Sequence, residues 1–163
     1  MLAAIAYGIV HDQITARICV EYFTIGHPPV FRTQSPTLLA LGWGIIATWW
    51  VGLPLGVLLS VAARAGRRPR LTALQLRRPL VTLLLAMALS AAVAGVIGGI
   101  LAAQGKVWLV PPLSTLVPPE RHHAFLVDAW MHSASYLAGI IGGCILAIWT
   151  WRQRASIAAA TPS

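Results

Sequence analysis

Residues able to hold a metal ion or move a proton concentrate in two short stretches of this chain. The first carries His11, Asp12, Arg17, Glu21 and Tyr22 and ends at His27, directly after an apolar run from Met1 to Val10. The second runs from Glu120 to His132 and includes His122, His123 and Asp128. Imidazoles and carboxylates on facing helices of a bundle are the donors that zinc, iron and copper sites use. Catalytic zinc sites take three such ligands and keep one position open. The expected centre, a metal site of the kind that can be catalytic, pairs Asp128 with His132. Glu21 is its facing ligand, and His27 or His123 stands at the rim. His11, Asp12, Arg17 and Tyr22 are further polar groups at membrane depth. Two other readings use the same residues. One is a relay through His11, Asp12, Glu21, Asp128 and His132 in a small transporter or proton-coupled subunit. The other is a structural polar lock in a non-catalytic accessory subunit. There is no HExxH motif, no pair of ExxH motifs, no nucleophile elbow and no phosphate loop, so the pattern names no reaction.

Helical periodicity orients these groups. Taking 100° per residue from Asp128, His132 falls at about 40°, Ser135 at about −20°, Gly139 at about 20° and Gly143 at about 60°, one stripe whose small residues admit another helix. Asp128 and His132 should therefore face the bundle. His122 and His123 fall off this stripe, in the first turn, and are expected to face water. On the first helix, Tyr7, His11 and Thr15 share a face, while Arg17 and Glu21, four apart, are expected to neutralise each other. Counting rise from Met1 and Trp151 as the inner ends puts His132 level with Cys19 and Glu21, and His11 level with Ile141. In that register His11 and Asp12 lie opposite the glycines of the last helix, pressed in by the first. Haem is disfavoured as a cofactor, because its two axial imidazoles must stand at one depth.

The elements that must hold these groups follow from composition. The chain has 163 residues, 58% of them hydrophobic and 10% charged, with a mean hydropathy of +0.76, whereas soluble domains carry roughly 25% charged residues. This predicts an all-α integral membrane protein: a single domain, a bundle of four transmembrane helices at about 1–23, 37–63, 79–103 and 119–151. Gly26, Pro28 and Pro29 stop the first helix, Pro54 kinks the second and Pro79 opens the third at its first turn. Spacings of four between Gly52 and Gly56, Gly95 and Gly99, and Gly139 and Gly143 mark close helix packing.

Arginines decide the orientation. Arg64, Arg67, Arg68, Arg70, Arg77 and Arg78 crowd the loop at 64–78, and Arg152 and Arg154 follow the last helix, so both termini are expected inside. The net charge of +8 sits mainly in this juxtamembrane loop and not on a face interleaved with aromatics, which argues against nucleic acid as a partner. The expected surroundings are the lipid bilayer of a bacterial inner membrane, with a second copy or a membrane subunit as possible company. Cys19 and Cys144 lie in different segments without a CxxC and are read as small apolar packers. Met1 to Val10 lacks a basic flank and a cleavage site and is read as retained structure.

Overall fold

A computed structural model describes residues 1–160, and no strand occurs among them. Three of its helices are long and apolar enough to cross a membrane: α3 (Pro36–Arg64), α4 (Ala73–Ala103) and the last helix, α6 (His122–Ala160), which follows the one-turn α5 (Leu113–Leu116) and the 3-10 turn Pro119–Arg121 that leads into it. Large apolar side chains stand exposed along all three, among them Leu58, Leu85, Leu89, Val96 and Ile148. A continuous apolar surface of this kind needs hydrocarbon around it.

The first helix differs from expectation. It is divided into α1 (Leu2–Ile18) and a short α2 (Val20–Thr24), because Cys19 takes an extended conformation with φ −147° and ψ 97°. In an unbroken helix the Ile18 carbonyl would accept from the amide of Tyr22, which instead donates to Cys19. The freed carbonyl is not left bare: Arg121 donates to it from Nη2 at 2.9 Å and, through Nε, to Glu21 Oε2 at 2.9 Å. This corrects the expected Arg17 and Glu21 pair. Arg17 turns to Gln13 and to the Thr37 hydroxyl, while Glu21 is held by Arg121.

Two further boundaries move. The helix α4 begins at Ala73, with a reciprocal capping box between Thr72 and Gln75, so Pro79 lies inside the helix and not in its first turn. It ends at Ala103, and just past it Gly105, with φ +65°, lets Lys106 and Gly105 donate back to Leu101 and Ala102. The helix α6 runs to Ala160, well past Trp151. In that extension Arg154 is fully buried, and its guanidinium donates to the carbonyls of Ala62, Ala65, Arg68 and Pro69. One side chain thereby satisfies the end of α3 and ties the Arg-rich loop to α6.

Packing follows the glycines, with partners that fix the register. α1 lies on α3 and α4 on α6, and α3 also meets α6. At the first crossing Ile9 rests on Gly44, where an added Cβ would fall 2.6 Å from the Ile9 Cα, so backbone meets backbone. At the second, Met131 covers Gly95, Trp130 covers Gly98 and Val127 covers Gly99. Gly139 and Gly143 do receive neighbours, but these are Met87 of α4 and Leu55 of α3 and not the first helix. Because Met1 sits beside Gly52 and Gly56, part-way along α3, α1 starts deeper in the bundle than a count from the helix ends assumed.

Candidate metal centre

That offset changes which groups meet. His11 stands opposite His132, ring centroids 4.7 Å apart and edge to face, not opposite the glycines of α6. His132 Nε2 lies 3.3 Å from Asp12 Oδ1. One donor atom from each of His11, Asp12 and His132 lies within 4.8 Å of the other two, and all three residues are buried. Ligands around an ion at about 2.0–2.1 Å in tetrahedral geometry stand about 3.3 Å apart, the separation His132 and Asp12 already have.

The protonation pattern is informative. His132 Nδ1 is 2.9 Å from the Asp128 main-chain carbonyl, which can only accept, so Nδ1 carries the hydrogen. In that tautomer the Nε2 lone pair points at a carboxylate oxygen. Two acceptors in contact need a cation between them, either a proton or a metal ion. An imidazole whose other nitrogen donates to a carbonyl is the usual metal-ligating arrangement.

Around the cluster the groups are unevenly satisfied. Among the described residues His11 Nε2 and both carboxylate oxygens of Asp128 are buried without a hydrogen-bond partner. Asp128 is fully buried and interacts electrostatically with Asp12, Glu21 and Arg121, which places it between the rim and the cluster. Tyr7 and Ser135, one turn further in, share a hydrogen bond of 2.9 Å. The break at Cys19 supplies the roof: Tyr22 of α2 stacks on His132 at 4.5 Å and Phe23 meets it edge-on at 5.7 Å.

The other expected ligands lie apart from this group. Glu21 is occupied by Arg121. His123 packs against α4 and donates to the Gly99 carbonyl at 3.0 Å, and His122 donates to Val117 at 2.9 Å, so neither simply faces water. His27 donates to the Tyr22 carbonyl at 2.8 Å and lies against Trp43, 4.5 Å between ring centres. Burial holds its imidazole below the ordinary range, partly opposed by that hydrogen bond. Asp128 offers His132 its main-chain carbonyl and keeps its own carboxylate free. His11 and His132 share a depth after all, yet their rings touch and leave no room for a macrocycle between them. What the residue pattern underweighted was His11 and Asp12, and the signal was the Gly8 and Gly44 crossing, which sets their level.

From the cluster a cleft runs between α1 and α4, with α3 and α6 behind it, lined further in by Ala4, Leu55, Leu83, Met87 and Leu146. No protein-family model matches the chain, and comparison with curated proteins and with solved structures gives no significant match. The chemistry of the site therefore rests on its own geometry: a buried His, Asp and His group compatible with metal binding, held among membrane-like helices.

Proposed function

We propose that the chain is a four-span protein of a bacterial inner membrane, both termini inside, whose function resides in a transition-metal centre ligated by His11, Asp12 and His132. The fourth crossing is α1. Its 17 residues rise only about 25 Å, but Val10 and Ile14 are exposed beside the lipid-facing surfaces of its neighbours. The observation that carries the metal reading is the pair of opposed acceptors, His132 Nε2 and Asp12 Oδ1 at 3.3 Å, with a second imidazole beside them. Two imidazoles and one carboxylate suit zinc or non-haem iron and leave positions open for water or substrate, so the centre has the make-up of a Lewis-acid or oxygen-chemistry site. A polar lock is a poorer account, since a lock satisfies its members and here His11 Nε2 and the Asp128 carboxylate are unmet.

A second reading, a proton relay, has one observation of its own: Asp128 stands between the half-exposed Glu21 and Arg121 pair and the buried cluster. Elemental analysis of protein purified without a metal-binding tag separates the two. The metal reading expects about one equivalent of zinc, iron or copper, lost at least tenfold in Asp12→Ala or His132→Ala and retained in Glu21→Gln. A wild type without stoichiometric metal overturns it and leaves the relay.

A further inference from the structure

We infer that the centre serves a single-chain amphiphile, an oxygen-bearing head on one fatty-acyl or prenyl chain, taken from the bilayer into the cleft between α1 and α4. This deepens the metal reading and rests on it. The lining of the cleft divides by chemistry along its length. At the outer end stand His11, Asp12 and His132, with the Tyr7 and Ser135 hydroxyls one turn inward. From Ala4 and Gly139 to Leu59 and Leu146 every lining residue is apolar. Between His132 and Leu146 α6 rises about 21 Å, of which the apolar stretch from Gly139 takes about half, so the cleft is an elongated trough and not a spherical hole. A small polar substrate has no use for such a trough, and a purely apolar one leaves the hydroxyls and imidazoles without partners.

Access fits the same ligand. α1 packs on α3 and α4 on α6, but α1 and α4 have no extended contact, so the trough opens sideways where lipid chains lie. The outer end is roofed by Tyr22 and Phe23 and backed by the ion pair of Glu21 with Arg121, which leaves the lateral slot as the wide entrance. An amphiphile entering there places its head at the open metal position and its chain against Leu83, Leu84 and Met87.

The test uses the full chain loaded with Co(II) in phosphatidylcholine nanodiscs and two probes, dodecanohydroxamic acid and acetohydroxamic acid, which share one metal-binding head and differ in the chain. Binding is read from the cobalt visible spectrum. Leu84→Trp fills the trough nearly three turns from the head site, and Met87→Phe, about two turns from it, is a milder filler should the tryptophan impair folding. The expected result is an unchanged cobalt spectrum before ligand, binding of dodecanohydroxamate weakened at least tenfold by the filling variant, and binding of acetohydroxamate unchanged. Because each probe is compared with itself across variants, partition into the bilayer cancels. Equal effects on both probes, or none on either, overturn the inference while the metal centre stands. That is also the outcome if a second copy of the chain or a preceding segment occupies the trough. Failure of the wild type to take up Co(II) overturns both.

Discussion

His132 shows how far residue types alone carry and where they stop. Its stripe with Asp128, Ser135, Gly139 and Gly143 follows from helical spacing, and all five are buried. Its partner does not follow, because spacing within one helix says nothing about the relative height of another. The side chain that meets it is Asp12, and Asp128 contributes a carbonyl. This makes Asp12 and His132 the pair that separates chemistry from mere cohesion. Truncating one member strands the other in a low-dielectric interior, at a cost of about 3–5 kcal/mol for a buried charged pair, while replacing both with packed apolar groups can be nearly neutral. Asp12→Leu with His132→Phe is therefore expected to give more folded protein than His132→Ala alone, and to bind no metal. Folded yield by size exclusion and metal content by elemental analysis read the two halves separately. A double variant that keeps its metal would place the centre elsewhere.

Among the elements, the three long helices are legible from hydropathy and their glycines, with α3 within a residue of expectation. The break between α1 and α2 is not, since Cys19 and its flanking Ile18 and Val20 read as an unremarkable apolar turn. The residue that stabilises it, Arg121, lies about a hundred positions away. Its guanidinium holds both the Ile18 carbonyl and the Glu21 carboxylate, and so sets the angle at which α2 lays Tyr22 and Phe23 over His132. The two contacts are separable. Arg121→Ala loses both and is expected to lower stability by about 1–3 kcal/mol, the range for a group left without its charged hydrogen-bond partner. Glu21→Gln retains the donor to Ile18 and should cost visibly less. Unfolding in mixed micelles measures both. Equal losses would mean that the ion pair, and not the carbonyl contact, holds the break.

For the molecule as a whole, composition alone identifies a membrane protein, because one charged residue in ten cannot solvate a soluble surface. The helix-on-helix register is the part composition withholds: it is fixed where Ile9 meets Gly44 and where Trp130 meets Gly98, contacts between residues far apart in sequence. Orientation rests on a different kind of argument. The loop between α3 and α4 and the helix ends beside it carry Arg64, Arg67, Arg68, Arg70, Arg77 and Arg78, and the loop is pinned beneath the bundle by Arg154, while the segment between α2 and α3 carries only Arg32. Cytoplasmic loops hold the excess of Lys and Arg, so the Arg154 end should face inward and the roof over His132 outward. If α3 crosses as its length and hydropathy indicate, single cysteines introduced at Arg68 and at Thr33, in a background without Cys19 and Cys144, label from opposite sides of the membrane. The expected pattern with an impermeant maleimide is Thr33 modified on intact cells and Arg68 only after permeabilisation. The reverse pattern would keep the crossing of α3 and invert it, putting His11, Asp12 and His132 in the inner half. Modification of both on intact cells would mean that α3 does not cross, and the bundle would have to be redrawn.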